Sequence, residues 1–146
     1  MNAVKDKSIR VDRVLRMFSK SGGSGEYTKP FSEFSSSIRD ELVLKIEIGD
    51  AETPILASYR DSFSWVVLTS DRLVWRSGDQ QEVLMWEQIK DATIPMSALA
   101  AFKSTAKLEN AVIEVTTDSG KVEILVESGR PFSGFWNVLK MVPQLT

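Results

Sequence analysis

The feature that most restricts the fold is a series of short β-type runs that begins at Thr53 and is broken repeatedly by turn residues. Most of the breaks hold only a few residues, which is too short for a crossover helix. We therefore expect consecutive strands to run antiparallel, as a meander. The longest break is Met96–Asn110. The seven predicted strands are Pro54–Tyr59, Phe63–Thr69, Arg72–Arg76, Glu82–Trp86, Asp91–Pro95, Ala111–Thr117 and Lys121–Val126.

The end of the chain predicts a helix with one large apolar face. Pro131 suits the first position of a helix, where its missing N–H has no partner to lose. Apolar residues then recur at helical spacing, namely Phe132, Phe135, Trp136, Leu139 and Val142. An aromatic face of this size has to be buried against something apolar. We expect this helix to pack on the sheet and to close its open end.

The first twenty residues predict a cationic amphipathic helix. Its apolar stripe contains Val4, Val11, Val14, Leu15 and Phe18, and its other side contains Lys5, Arg10, Arg13, Arg16 and Lys20. The Gly- and Ser-rich run at 21–25 has the composition of a flexible linker. We therefore expect this helix to be tethered to the rest of the chain.

A second helix is predicted near residue 36. Three serines at 35–37 followed by Asp40 and Glu41 are typical of a helix start, and Gly49 is a suitable stop. The segment Leu42–Ile48 also alternates in the manner of a strand. We expect a helix through about Lys45, with the strand as the alternative.

The chain contains no cysteine and no histidine. Without cysteine there can be no disulfide, no thiol nucleophile and no cysteine-ligated zinc. Without histidine the commonest general base and the commonest metal ligand are absent. We therefore expect a protein that is not an enzyme and that has no metal and no cofactor.

The charge is unevenly distributed along the chain. Residues 1–30 hold seven basic and three acidic residues, so the net charge of −2 leaves −6 on the remainder. An acidic body repels nucleic acid, which we do not expect as a partner. The start of the chain is interrupted by charges and no run approaches the ~20 apolar residues that span a bilayer. The expected location is cytoplasmic.

Three segments of the chain resemble bacterial pleckstrin-homology-like (PH-like) domains. Residues 65–75 resemble a hairpin of that family, in which a β-branched run ends in Leu-Thr-x-x-Arg-Leu, and Val83–Ile89 resembles a later strand with its acidic-x-Ile step. Residues 131–139 resemble the closing helix. The resemblance, which spans Thr53 to Val142, implies a mainly β (α+β) fold: a seven-stranded antiparallel barrel capped by a C-terminal helix, with an N-terminal helical extension. The predicted divisions are a basic helix at 1–20, a linker at 21–30 and the PH-like domain at 31–146.

The resemblance implies a binding scaffold that serves many unrelated roles. Phosphoinositide-binding members carry a cluster of Lys and Arg at the first hairpin loop, whereas this chain has only Arg60 there, beside Asp61. Arg72 and Arg76 begin and end the third predicted strand, where they either grip a phosphate or pair with acids across the sheet.

Two groups of apolar residues are further candidates for binding. Trp65, Trp75 and Trp86 lie on three successive predicted strands, and they either line a ligand surface or pack in the core. The helical residues Val11, Val14, Leu15 and Phe18 either dock on a membrane or in a partner groove, or pack on the chain itself or a neighbouring subunit.

Our first hypothesis is a non-catalytic PH-like protein-interaction module that self-associates through exposed strand edges. One alternative is a membrane-surface adaptor anchored by the basic N-terminal helix. The other is a small acidic inhibitor or immunity-type protein that covers a basic site on another protein.

Overall fold

The computed structural model of the chain describes residues 3–95 and 110–146. These described residues contain three α-helices, namely α1 (Ala3–Ser21), α2 (Ser36–Ile46) and α3 (Arg130–Met141). The strands are β1 (Thr28–Pro30), β2 (Pro54–Asp61), β3 (Ser64–Thr69), β4 (Arg72–Ser77), β5 (Gln80–Met85), β6 (Asp91–Thr93), β7 (Asn110–Thr117) and β8 (Gly120–Glu127). Short 3-10 helices cover Phe31–Glu33, Trp86–Gln88 and Val142–Leu145. All of the predicted break Met96–Asn110 except its last residue lies outside the described residues.

The strands form two antiparallel sheets. One sheet has the order β1-β2-β3-β4-β5 and the other has the order β6-β7-β8. Every neighbouring pair is antiparallel, which confirms the predicted meander and the α+β class.

A closed barrel is not observed in the described part of the chain, since no strand ladder joins the two sheets. The chain leaves β5 through a 3-10 turn at Trp86–Gln88, so it turns away from the edge of β5 instead of continuing the first sheet. Trp86 therefore lies in this turn, where the sequence predicts the end of a strand.

At another corner the sheets are linked by a side chain, because the carboxylate of Glu127 on β8 accepts bonds from the backbone N–H groups of Glu26 and Tyr27 at 2.8 and 2.6 Å.

The final helix is buried as its sequence predicts. Phe132, Phe135, Val138 and Leu139 of α3 are at most 1% exposed and share one core with residues of both sheets. This burial removes the apolar face of α3 from water, which is the main force that holds the helix in place.

The N-terminal helix packs into the same core. Val14 and Phe18 of α1 are fully buried, and Val11 and Leu15 pack against the core with part of their surface exposed. The helix contacts α3 and β2.

The segment that follows α1 makes close contacts. A Cβ atom built on Gly22 would lie 1.9 Å from the carbonyl oxygen of Arg130, and one on Gly25 would lie 2.5 Å from the carboxylate of Glu127. Residues 21–30 therefore hold α1 against the body through defined contacts, where their composition indicates a flexible linker. The division of the chain at residues 20 and 30 stays a prediction.

Helix α2 covers the opposite face of the five-stranded sheet. Leu42 and Ile46 pack with Trp65, Val67 and Val74 in a second apolar cluster. The hydroxyl of Ser35 caps the helix by accepting a bond from the N–H of Ile38 at 3.3 Å, and Glu47 ends it in the left-handed conformation. The helical prediction for this segment is confirmed.

Candidate protein-interaction edge

The three tryptophans singled out in the sequence lie inside the protein. Trp65, Trp75 and Trp86 are 2%, 8% and 0% exposed. Trp65 belongs to the cluster beneath α2, whereas Trp75 and Trp86 belong to the core beneath α1 and α3. The indole N–H of Trp86 donates to the carbonyl of Thr69 at 2.8 Å. The structure therefore does not bring these three rings together on one surface.

Arg72 is engaged within the chain. Its Nε donates to Glu52 Oε2 at 2.8 Å, and its Nη2 bonds the carbonyl oxygens of Ile46 and Glu47 at the end of α2. Burial alone would raise the pKa of Glu52, but hydrogen bonds from Arg72 and Thr69 lower it overall. The hydrogen bond to Glu52 raises the pKa of Arg72. This pair ties the end of α2 to the β3–β4 turn.

The other two predicted arginines lie at the opposite end of the sheet. Arg76 stacks over the ring of Phe63 at 5.1 Å and donates through Nε to the carbonyl of Gly78 at 2.9 Å. Arg60 stacks over Tyr27 at 5.3 Å. Since Arg72 begins β4 and Arg76 lies near its end, the fold does not gather the arginines into one phosphate site.

The basic N-terminal helix is fixed to the β3–β4 turn. Lys7 Nζ lies 3.0 Å from a carboxylate oxygen of Asp71, and Arg10 donates to the carbonyl of Ser70 at 2.9 Å. The four candidate docking residues Val11, Val14, Leu15 and Phe18 contact the chain's own core. Among the described helices, α1 included, none has the length and apolar character to cross a membrane.

The described residues also hold no cluster of three or more Asp or Glu side chains that could bind a metal ion.

Another candidate is a strand edge. In the part of the chain that the structure describes, four strands lie at the edges of the two sheets, namely β1, β5, β6 and β8. Unpaired edges invite other strands, and proteins usually protect them with short length, charge or proline. Both β1 and β6 have three residues, and β1 ends in Pro30. β8 carries Lys121, Glu123 and Glu127.

Strand β5 has little of this protection. It has six residues, no proline, no lysine or arginine, and one acidic residue, Glu82. Its pairing with β4 is continuous and contains no bulge: it begins where Gln80 lies opposite Ser77 and ends where Met85 lies opposite Arg72. A regular edge of this kind can accept another strand along its whole length.

The direction of the peptide groups in β5 follows from one hydrogen bond. The N–H of Met85 donates to Gln88 Oε1 at 2.8 Å, so it points away from β4. Peptide groups in an antiparallel pair alternate in direction, so those of Val83 and Gln81 also point outward. Within residues 3–95 and 110–146, no backbone or side-chain group bonds the peptide groups of Gln81 and Val83 on this outer side.

The side chains beside these peptide groups are apolar and exposed. Val83 is 49% exposed and Met85 is 44% exposed. Val83 pairs with Val74, which belongs to the cluster beneath α2, so both side chains lie on the α2 face of the sheet. Leu84 points to the opposite face, where it is buried and anchors the strand. Gln81, Val83 and Met85 are not among the site residues predicted from the sequence; the signal for them is an apolar strand end without a lysine or arginine.

No family model matches the chain. No curated protein and no solved structure matches it either. The kinship with PH-like domains therefore stays a prediction, and a function has to be inferred from the geometry of the molecule.

Proposed function

We propose that the chain is a non-catalytic, cytoplasmic protein-interaction module that binds a protein partner by accepting an extended strand at the edge of β5. The observation that carries the proposal is the pair of outward peptide groups at Gln81 and Val83, flanked by the exposed side chains of Val83 and Met85. An added strand would bond these groups and cover the two side chains, as in β-strand addition.

The expected free energies of burial and of hydrogen bonding favour the addition of a strand. Full burial of a valine or methionine side chain contributes about 1.5–3 kcal/mol, and about half of each side chain is still exposed. Each new backbone hydrogen bond adds about 0.5–1.5 kcal/mol net. The sum is modest, since ordering the partner opposes it. We expect a weak, reversible interaction.

We further propose that the scaffold is PH-like. Support comes from the order of its elements, which is a four-stranded meander (β2–β5), a three-stranded meander (β6–β8) and a closing helix (α3). This order is the one that the resemblance implies. Helices α1 and α2 and strand β1 are then additions to that scaffold, of which α1 and α2 cover opposite faces of the larger sheet.

The absence of catalysis is part of the proposal. The chain has no histidine and no cysteine. Partly buried polar contacts join elements of the fold: Arg72 and Glu52 connect α2 to the β3–β4 turn, and Tyr59 donates to Glu41 of α2 at 3.0 Å. The charges of Arg72, Glu52 and Glu41 are therefore explained by their role in holding the fold together.

The membrane-adaptor alternative has less support. To insert its apolar face into a bilayer, α1 would have to withdraw Val14 and Phe18 from the core. In the bilayer these two side chains would be in an apolar medium again, but the core surface that they cover would be left exposed to water. Valued at about 1.5–3 kcal/mol for each vacated position, this exposure costs roughly 3–6 kcal/mol. Strand addition at β5 requires no such rearrangement.

The test is a titration with a synthetic peptide of alternating threonine and valine, followed by backbone amide chemical shifts. We expect changes concentrated in Gln80–Met85. The variant Val83→Pro should abolish binding and remain folded, because the N–H at this position does not serve β4. The control Phe63→Lys, at a side chain that is 57% exposed, should bind normally. No shift changes at millimolar peptide, or equal binding by Val83→Pro, would contradict the proposal.

A further inference from the structure

We infer that the strand accepted by β5 is the β5 strand of a second copy of this chain, in an antiparallel two-fold arrangement with Val83 on the axis. The inference rests on the proposed function, because both require a free β5 edge. It adds the identity of the partner and the register of the pairing.

The register follows from the direction of the peptide groups. Only Gln81, Val83 and Met85 present their N–H and C=O groups outward. In an antiparallel ladder, residues that exchange bonds face one another directly. With the axis at Val83, Val83 pairs with Val83 of the second copy, and Gln81 pairs with Met85 of the second copy. Each outward residue thereby meets an outward residue.

Two other symmetric registers are less favourable. An axis at Glu82 would place two carboxylates directly opposite each other, and like charges in that position destabilise a sheet. An axis at Leu84 would leave Gln81 beyond the end of the ladder. With the axis at Val83, Glu82 lies opposite Leu84 of the second copy. Of the three registers, this one uses all three outward residues and opposes no like charges.

The side chains of β5 are also suited to symmetric pairing. The two Val83 side chains would lie together on the α2 face, and each Met85 would lie beside Gln81 of the other copy. In an isologous interface the same patch of each copy has to complement itself. The segment Gln81–Met85 does so when the two-fold axis passes through Val83. The net charge of −2 on each copy gives little long-range repulsion.

The pairing should be weak because it is short. Standard protein interfaces involve about 20–30 residues on each side, whereas β5 has six. We expect monomers at low concentration and dimers at high concentration. Light scattering should show the mass rising from 16.3 kDa towards twice that value.

The experiment uses engineered cysteines, since the chain has none of its own. In this register the two Val83 Cα atoms are about 5.5 Å apart, which lies within the range of a disulfide. Val83→Cys should therefore form a covalent dimer on mild oxidation. The two Gln81 positions are separated by four residues along the ladder, or roughly 14 Å. Gln81→Cys alone should not cross-link, whereas a mixture of Gln81→Cys and Met85→Cys should.

Phe63→Cys is the matched control, because Phe63 is exposed to a similar degree and lies outside β5. We expect Val83→Cys to cross-link at least tenfold faster than Phe63→Cys. Self-cross-linking of Gln81→Cys as fast as that of Val83→Cys would overturn the register. A wild-type chain that stays monomeric at every concentration, together with equal rates for Val83→Cys and Phe63→Cys, would overturn the second copy as partner.

The peptide titration separates this failure from failure of the proposed function. If the chain stays monomeric but the threonine–valine peptide binds at Gln80–Met85, strand acceptance stands and the partner is a different protein. If neither a second copy nor the peptide binds, both proposals are wrong.

Discussion

Phe18 of α1 lies directly against Gly134 of α3. A Cβ atom built on Gly134 would sit 2.7 Å from Phe18 Cδ1 and 2.9 Å from the carbonyl oxygen of Phe18. The two helices therefore meet at the one residue that has no side chain, and the N-terminal helix is held in the core by this close approach.

We expect Gly134→Ala to destabilise the protein. Alanine is favoured over glycine in a helix by about 1 kcal/mol, but here its methyl group would overlap the backbone of α1. Overpacking of this kind typically costs about 1–3 kcal/mol. Chemical denaturation should show a lower free energy of unfolding. Gly49→Ala, where a new Cβ would meet no atom closer than 3.9 Å, is the control and should be close to neutral. A more stable Gly134→Ala variant would mean that α1 does not pack here.

The Glu52–Arg72 pair predicts a dependence of stability on pH. The pKa of Glu52 lies below its usual value of 4.5 in the folded chain, so the unfolded chain binds this proton more readily. Its contribution to stability is then complete above the unfolded pKa and is lost as the pH falls through the lower, folded pKa.

Glu52→Gln should therefore lower the free energy of unfolding at neutral pH by about 1.5–3 kcal/mol, since it removes a hydrogen-bonded charge. The difference from wild type should shrink as the pH falls below 4.5. Thermal unfolding measured across this pH range tests the sign. Glu123→Gln, on an exposed side chain, is the control. A constant difference at all pH values would contradict the role given to the Glu52 charge.

Much of this fold follows from local sequence. All seven predicted strands occur, with ends shifted by one or two residues, because turn residues and β-branched runs act locally. Strand β1 is missed because it has only three residues and forms through tertiary contacts: Thr28 donates to the Ser58 hydroxyl at 2.9 Å inside the protein. Such a strand leaves no periodic signal.

The candidate site is less accessible to sequence reasoning. Both faces of β3 and β4 are buried, so alternation cannot tell which face holds Trp65 and which holds Trp75. Likewise, that β5 is an edge strand depends on the order of strands and on the 3-10 turn at Trp86–Gln88, which directs the chain into the second sheet. Neither feature is local, so Val83 cannot be identified as an edge residue from its neighbours.

Gln88 competes with an incoming strand, since its side chain accepts the N–H of Met85 that would otherwise bond the second copy. We expect Gln88→Ala to strengthen self-association, because it frees one donor on each chain. Two net hydrogen bonds of about 0.5–1.5 kcal/mol correspond to roughly fivefold to 150-fold tighter dimers. Sedimentation equilibrium measures the change. Gln80→Ala, on the same strand but with its peptide directed at β4, should have little effect. Weaker dimers in Gln88→Ala would contradict the proposed bond to Met85.

The most direct measurement of the central claim is amide hydrogen exchange at two adjacent residues, Val83 and Leu84, at low and high protein concentration. The N–H of Leu84 serves the ladder with β4 and should exchange slowly at both concentrations. The N–H of Val83 should exchange quickly in dilute protein and slow by at least tenfold in concentrated protein. Slow exchange of Val83 in the dilute, monomeric protein would show that the β5 edge is already covered, which would contradict strand addition at β5.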